Sequence, residues 1–188
     1  MIDLALSDTL GEPRRDRVAV VPYDVEWPLR FAWIRDDLAR ALGQFARRVD
    51  HIGSTAIPGM AARPAIDIQV SVDDLEAEED YRPAVESLGW TLRAREPSHR
   101  YFRAPPGQPR DAHIYVCASG TAWEYDHLLL VAYLQTHPAR RDAYARRKLE
   151  LATLRADDSV TYCQERAGFI GETIRLGQGW ARETGWHP

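Results

Sequence analysis

The sequence predicts an α+β fold, in which a mixed β-sheet is flanked by helices and followed by a C-terminal helical segment. Its 188 residues, 45% of them apolar and 28% charged, suit one globular domain. Several short runs typical of strands follow one another without a helix between them, which favours a mixed or antiparallel sheet. After residue 120 the apolar spacing becomes that of helices.

Strands and helices alternate in the first third of the chain. Residues 18–21 form a short β-type run that Pro22 ends. Apolar side chains at helical spacing predict a helix over residues 28–42, which Gly43 stops. A second short strand is predicted over residues 49–52.

Residues 66–72 give the clearest strand prediction. Apolar and polar side chains alternate there, so the strand presents an apolar face to the core and a polar, exposed face on the other side. The apolar face consists of Ile66, Ile68, Val70 and Val72, and the polar face of Asp67, Gln69 and Ser71.

The next part of the chain adds one helix and three strands. The helix passes through Tyr81 and stops at Gly89. The strands are predicted over residues 90–92, 100–103 and 112–117.

Three further helices are predicted after these strands. The first covers about residues 123–136, and the second begins at Pro138. The third begins behind a cap at Asp157, Asp158 or Ser159.

The predicted organisation is one domain with short ends. The domain spans residues 18–174, between a polar lead-in over residues 1–17 and a loose C-terminal tail over residues 175–188. The oligomeric state is left open.

Composition excludes several classes of function. Twenty-four Lys and Arg against 28 Asp and Glu give a formal net charge of −4, so no overall basic field favours a nucleic-acid duplex. The longest apolar run, 128–134, has seven residues, far below the ~20 that span a membrane. Two cysteines and a start without a secretory signal pattern make the cytoplasm the expected location and a membrane partner unexpected.

The stretch from His51 to Asp67 carries the strongest chemical signal. A strand that ends in Gly53-Ser54 lets backbone N–H groups approach an anion, and the serine hydroxyl adds a donor. Asp67, on the exposed face of the next strand, would then hold a divalent cation that binds phosphate oxygens. This arrangement suits phosphoryl or nucleotidyl transfer. The alternative is that Gly53 serves a turn and Asp67 is an ordinary surface residue.

These residues belong to a segment that resembles the signature of the GrpB family, a nucleotidyltransferase-like group. The segment is His51-Ile52-Gly53-Ser54-Thr55-Ala56-Ile57-Pro58-Gly59-Met60-Ala61-Ala62-Arg63-Pro64-Ala65-Ile66-Asp67-Ile68. Further matching positions are 20–28, 100–102, 113–116, 127–129, 133–138, 144, 148, 162 and 169–170. Family members also occur fused to dephospho-CoA kinase, whereas this chain has no P-loop and resembles the stand-alone form.

The resemblance implies the nucleotidyltransferase fold of the polymerase-β-like superfamily. Gly53-Ser54 and Asp67 fit its glycine-serine motif and first metal carboxylate. The expected cation is Mg²⁺, whereas Mn²⁺ or Zn²⁺ would suit a site built on the histidines. Active members usually carry a second carboxylate where this chain has Gln69. An amide oxygen ligates a hard cation without adding negative charge, so two-metal chemistry is put in question.

Histidines are a second set of candidate ligands and proton carriers. If the sheet brings their strands together, His51, Asp67 and His113 form a transition-metal site or a general-base cluster. The alternative is that each histidine makes one structural hydrogen bond, and no His-x-x-x-His spacing supports zinc.

Basic residues from separate segments form the third set. Arg63, Arg100, Lys148 and Arg166 would make an anion site of triphosphate size if they converge on one cleft. The alternative is that these basic side chains lie on the surface and only keep the protein soluble.

The leading functional expectation is a protein that binds a nucleotide or another phosphorylated small molecule and transfers a nucleotidyl group with a divalent cation. In it, Gly53, Ser54 and the four basic residues hold phosphate. The metal ligands are Asp67, Gln69, His51 and His113, with Asp67 and His113 also the catalytic candidates. A second expectation is a binding module that has lost transferase chemistry, and a third is a metal or acid-base enzyme built on the histidines and Asp67.

Overall fold

The computed structural model describes residues 19–105, 107 and 111–188, and its centre is a five-stranded sheet. The strands are β1 (Arg48–Ile52), β2 (Ile66–Val72), β3 (Thr91–Arg95), β4 (His99–Arg103) and β5 (Ala112–Ala118). Their order across the sheet is β1-β2-β5-β4-β3. Strands β2 and β5 run parallel, and the other neighbouring pairs run antiparallel. The mixed sheet predicted from consecutive strands is confirmed.

The described residues also form long helices at close to the predicted positions. These are α1 (Trp27–Leu42), α2 (Glu78–Ser87), α3 (Ala122–Thr136), α4 (Pro138–Leu154) and α5 (Ser159–Thr184). Two short 3₁₀ turns, Gly43–Phe45 and Ser54–Ala56, were not predicted. The cap of α5 is Asp158, whose side chain accepts a 2.9 Å hydrogen bond from the backbone N–H of Thr161.

One face of the sheet packs against α1 and α2. The alternating apolar residues of β2 enter this layer, where Ile68 and Val70 are fully buried. Trp27 and Leu38 of α1 and Tyr81 of α2 belong to the same cluster. Burial of this continuous apolar layer accounts for the strict alternation in the β2 sequence.

The other face of the sheet is covered by α3, with α4 and α5 packed behind it. Gln69 and Ser71, predicted on an exposed face, are fully buried there. The prediction of exposure was wrong because an alternating strand identifies two faces, whereas a helix from elsewhere in the chain decides whether the polar face meets solvent. Asp67 lies nearer the open end of this layer, and its side chain keeps 30% exposure.

The first predicted strand is reduced to a single bridge. Val18 lies outside the described residues, and Val21 exchanges two 2.9 Å backbone hydrogen bonds with Ala62. Pro22, which follows at once, has no N–H to extend such a ladder. The predicted lead-in over residues 1–17 also lies outside the described residues.

The C-terminal segment is a helix rather than the loose tail predicted over residues 175–188. Helix α5 continues to Thr184, and Ile174 and Ala181 are buried in the apolar cluster shared with α3 and α4. Gly177 lets the backbone of α5 approach Leu129 of α3 closely. This packing, which the glycine-rich sequence around residue 177 conceals, stabilises the last turns of the helix.

No helix within the described residues combines the length and apolar character that crossing a membrane requires.

Candidate functional site

A cleft lies where the connection between β1 and β2 meets α3, α4 and α5. The space in and in front of it, open solvent at its mouth included, is about 900 Å³. Seven of the residues proposed from the sequence line it, namely Gly53, Ser54, Arg63, Asp67, His113, Lys148 and Arg166. These residues come from two strands, two helices and a connecting loop, so only the folded chain brings them together.

Gly53 and Asp67 form the floor of the cleft and fit closely against each other. Gly53 has a φ of +71°, a backbone conformation that side chains disfavour. A Cβ atom at this position would lie 3.1 Å from Cβ and Cγ of Asp67, and closer still to its Oδ2. Glycine is therefore required both by the turn and by the carboxylate packed against it.

Asp67 and His113 are joined by a hydrogen bond. They are register partners on the parallel strands β2 and β5, and His113 Nδ1 donates to Asp67 Oδ1 over 2.9 Å. The imidazole side chain is 5% exposed, with the ring of Tyr101 edge-on at 5.7 Å. The carboxylate fixes the tautomer, which leaves Nε2 of a neutral His113 as a hydrogen-bond or proton acceptor.

Lys148 is the single lysine of the chain, and it is buried in the cleft wall at 1% exposure. Its Nζ donates to the carbonyl oxygen of Ala61 over 2.5 Å and lies 4.9 Å from the centre of the Tyr144 ring. Burial lowers the pKa of Lys148 well below its usual value, the charge of Arg166 lowers it further, and Asp67 opposes both effects. The amine therefore lacks a full counter-charge among the described residues around it.

Hydrogen-bond donors also come from the remaining walls. Arg166 of α5 lies 5.4 Å from the centre of the Tyr162 ring, and Arg63 is supplied by the loop before β2. Burial raises the pKa of Tyr144 to about 12 against the opposing effects of Arg166 and of a hydrogen bond with Ser54. The Tyr144 hydroxyl is accordingly a neutral donor at physiological pH.

His51 does not line the cleft. It is the register partner of Ile68, which places it on the α1 side of the sheet, where it stacks on Phe31 at 4.7 Å. Its Nε2 is 2.9 Å from the Thr55 hydroxyl, and burial lowers its pKa to about 4. The structure therefore separates His51 from the Asp67–His113 pair by the thickness of the sheet.

Arg100 is likewise on the face opposite Asp67. It is the register partner of Val116, and it is 4% exposed. Its guanidinium donates to Glu76 over 2.6 Å and to Glu78 over 2.8 Å. It secures the connection before α2 to the sheet and is not brought to the cleft, because strand alternation turns it towards the α2 layer.

Gln69 shares a sheet face with Asp67 but lies beneath α3 and does not line the cleft. Neither atom of its amide has a hydrogen-bond partner among the described residues. Over the same part of the chain, no group of three or more His, Cys, Asp or Glu side chains is arranged to hold a metal ion.

His127 and Tyr144 are among the cleft residues that were not predicted as site residues. His127 of α3 lines the cleft, with its Nδ1 2.6 Å from the carbonyl oxygen of Trp123 and its ring 3.7 Å from the Trp123 ring. Tyr144 lines it from α4, one helical turn before Lys148. Both stand in segments that carry the family resemblance, which was the signal available to find them.

Comparison with known proteins identifies relatives over nearly the whole chain. The family model described as GrpB protein matches residues 17–175. A UPF0157 protein of Streptomyces coelicolor is 34% identical over 168 residues, which cover 89% of this chain and 88% of that protein.

Solved structures show the same architecture. The crystal structure of the conserved protein GrpB from Enterococcus faecalis superposes with a TM-score of 0.74 at 26% identity, covering 84% of this chain and 98% of that one. The Cid1 poly(U) polymerase with bound MgGTP superposes with a TM-score of 0.50 at 13% identity, covering 72% and 45%. The second similarity establishes a nucleotidyltransferase-like fold and nothing about activity.

Proposed function

The chain belongs to the GrpB protein family, and we propose that its cleft binds a nucleotide or another phosphorylated small molecule. The observation that carries this proposal is the convergence of Arg63, Lys148 and Arg166 on one cleft, beside the Gly53-Ser54 turn. Guanidinium and ammonium groups are the side chains that hold phosphate most strongly. Asp67 is the one carboxylate among the residues that line the described cleft, so the wall carries a net positive charge when Lys148 is protonated.

Burial makes a charged Lys148 costly without a ligand. Its side chain is buried, the charge of Arg166 disfavours its protonation further, and a buried charge is stable only with a counter-charge. A phosphate group would supply that counter-charge and accept a hydrogen bond from Lys148. The hydroxyl groups of Ser54 and Tyr144 add neutral donors at the same wall.

The residues of the cleft do not fit a pair of divalent cations. Such a site needs several hard oxygen ligands, whereas Asp67 Oδ1 already accepts from His113 and Gln69 is buried under α3. We therefore favour phosphate binding that does not depend on Mg²⁺, which corresponds to a binding module on a nucleotidyltransferase-like fold.

Calorimetric titration tests this function. We expect ATP, ADP or pyrophosphate to bind without Mg²⁺, and Lys148→Met or Arg166→Met to weaken binding about 10- to 100-fold, since each removes a charged hydrogen bond. Arg175→Met, at an exposed position of the same helix α5, is the matched control and should bind as the wild type does. Absence of binding by all three ligands, or affinities that neither cleft substitution changes, would refute the proposal.

The same titrations, repeated with Mg²⁺, test whether a divalent cation takes part in binding. If Mg²⁺ raises the affinity for ATP strongly and Asp67→Asn removes that increase, a metal site exists and nucleotidyl transfer regains support. If affinity is the same with Mg²⁺ and with EDTA, the metal-independent version stands.

A second candidate function is metal-independent acid-base catalysis, which the Asp67–His113 hydrogen bond of 2.9 Å favours. A carboxylate that orients an imidazole leaves Nε2 able to accept a proton from a hydroxyl group or water. The test is release of phosphate or pyrophosphate from ATP in EDTA. His113→Asn keeps a donor for Asp67 but has no Nε2, so it should lower such a rate about 10²-fold or more. A cleft that binds ATP without turnover excludes this candidate for ATP.

A further inference from the structure

We propose that the cleft recognises a hydroxyl-bearing phosphate ester, with His127 and His113 accepting hydrogen bonds from its hydroxyl groups while Lys148 and Arg166 hold its phosphate. The ribose phosphate part of a nucleotide and a free sugar phosphate share this chemistry. The inference rests on the phosphate-binding function proposed above and adds the other end of the ligand.

The tautomer of His127 is fixed by its surroundings. Its Nδ1 is 2.6 Å from the carbonyl oxygen of Trp123, and a carbonyl oxygen only accepts, so the proton must be on Nδ1. Burial lowers the pKa of His127 to about 4, which keeps the ring neutral. Nε2 therefore carries a lone pair, and the ring that bears it lines the cleft.

The ring of His113 is oriented by a different partner. Its Nδ1 donates to Asp67 Oδ1, and its ring also lines the cleft. Two imidazole rings, one from β5 and one from α3, thus line one space with their Nδ1 atoms already hydrogen-bonded, which leaves Nε2 of each unprotonated ring as an acceptor. An additional phosphate or carboxylate at this end would meet the negative charge of Asp67 and would be disfavoured.

The cleft therefore offers hydrogen-bond donors from one set of residues and hydrogen-bond acceptors from another. Lys148 and the guanidinium groups can only donate hydrogen bonds when charged, which suits a phosphate. The two imidazole Nε2 atoms can only accept, which suits a hydroxyl or amino group. A ligand that satisfies both ends carries phosphate and hydroxyl groups within the span of one cleft, as a sugar phosphate does.

Two pairs of probes test the proposal by titration without Mg²⁺. ATP and 2′,3′-dideoxy-ATP differ in the ribose hydroxyl groups alone, and ribose 5-phosphate is compared with inorganic phosphate. We expect ATP to bind about 3- to 10-fold more tightly than its dideoxy analogue for each hydrogen bond formed. If the two ATP probes bind equally but ribose 5-phosphate binds more tightly than inorganic phosphate, the proposal is supported and the ligand is a free sugar phosphate.

Matched variants assign the preference to the histidines. His127→Phe keeps an aromatic ring on Trp123 but removes the acceptor, and we expect it to lower the hydroxyl preference about 3- to 10-fold. The control is His137→Phe, because His137 also has its Nδ1 on a carbonyl four residues earlier, at 2.8 Å, and its ring on an aromatic neighbour, Tyr133. His137 does not line the cleft, so its replacement should leave the preference unchanged.

His113→Asn provides an independent variant if His127→Phe does not fold. Its amide can still donate to Asp67, and it too should lower the hydroxyl preference. Equal affinities within both probe pairs, or a preference that both cleft variants retain, would overturn the inference while leaving phosphate binding intact. Failure of all four probes to bind would overturn the inference together with the proposed function.

Discussion

Asp67 has a defined task in this structure because its neighbours fix the position of its carboxylate. Gly53 packs against it with no room for a side chain, and His113 donates to one of its oxygens. In the family resemblance this residue is a metal ligand, whereas here its hydrogen bond orients an imidazole. A single residue type thus supports two chemistries, and the surrounding donors decide between them.

Gly53→Ala should destabilise the protein more than a glycine substitution with similar backbone geometry. Gly59 has a φ of +75°, and a Cβ atom there would meet no neighbouring atom within 4 Å, so Gly59→Ala costs about 1–2 kcal/mol through backbone strain alone. Gly53→Ala adds the clash with Asp67, about 1–3 kcal/mol more. Urea unfolding of both variants measures the difference, and equal losses would contradict the close packing.

Lys148→Met should change how stability depends on pH. The unfolded chain binds a proton on Lys148 up to about pH 10.5, whereas burial lowers the pKa in the folded state. The wild type is therefore increasingly penalised as pH falls from 10.5 towards the lowered pKa, and the variant is not.

We expect the free energy of unfolding of Lys148→Met to rise relative to that of the wild type as the pH is lowered from 9 to 6. Urea unfolding without ligand measures this difference. Arg146→Met, at an exposed position of the same helix, serves as the control and should show a constant difference from the wild type. A constant difference for Lys148→Met as well would mean that the lysine keeps its proton in the folded, ligand-free protein.

Helix α3 is the element that makes the cleft, because it packs on two sides at once. Its residues contact the polar face of the sheet through Trp123 and Leu128 and contact α4 and α5 through Leu129 and Leu134. A helix buried on both sides has no amphipathic period that identifies its cleft-facing residues. His127 was consequently missed as a site residue although the helix itself was predicted.

Helix α5 depends on a close approach to α3 at Gly177. A Cβ atom there would lie 3.2 Å from Leu129 Cγ, whereas Gly179 has open space around it. Gly177→Leu should therefore destabilise the protein by about 1–3 kcal/mol, while Gly179→Leu should be neutral or stabilise it by up to about 1 kcal/mol through helix propensity. Thermal unfolding of the two variants tests this prediction. If Gly179→Leu were the less stable of the two, α5 could move away from α3 without a loss of stability.

At the scale of the whole molecule, acidic and basic side chains are distributed unequally. The acidic stretch before and within α2 pairs with arginines, as in the Glu78 ion pairs with the exposed Arg95 and the buried Arg100. The cleft wall instead carries Arg63, Lys148 and Arg166 against one carboxylate, Asp67. The net charge of −4 therefore coexists with a cationic cleft wall.

The buried histidines should make the protein sensitive to mild acid. Burial lowers the pKa of His51, His99 and His127 to about 4, against about 6.5 in the unfolded chain. The unfolded state then binds more protons between these values, so stability is full above pH 6.5 and is lost as pH falls towards 4.

The urea midpoint should consequently fall steadily from pH 7 to pH 4.5. His99→Phe should reduce the slope, whereas His187→Gln, at an exposed position near the C-terminus, should not. A midpoint that stays level across this range would show that the three imidazoles accept protons without loss of structure.

Local pattern was sufficient for most elements of this fold. Alternation over residues 66–72 predicted β2 with its observed bounds, and Pro138 marked the start of α4. The order of strands predicted a mixed sheet, and the nucleotidyltransferase-like fold implied by the resemblance is confirmed by the structural comparison. Periodicity and turn chemistry act within a few residues, so the sequence expresses them directly.

The composition of the cleft was decided only by the tertiary structure. The sequence proposed Arg100 and His51 together with Lys148 and Arg166 as site residues, but strand register places the first two on the far side of the sheet. The alternation of side chains along a strand shows which of its residues share a face. Helices that are distant in the sequence decide what covers that face. The amino-acid sequence thus determined the elements and the residues available for phosphate chemistry. The packing of α3 against one face of the sheet, with α4 and α5 behind it, decided which of them meet.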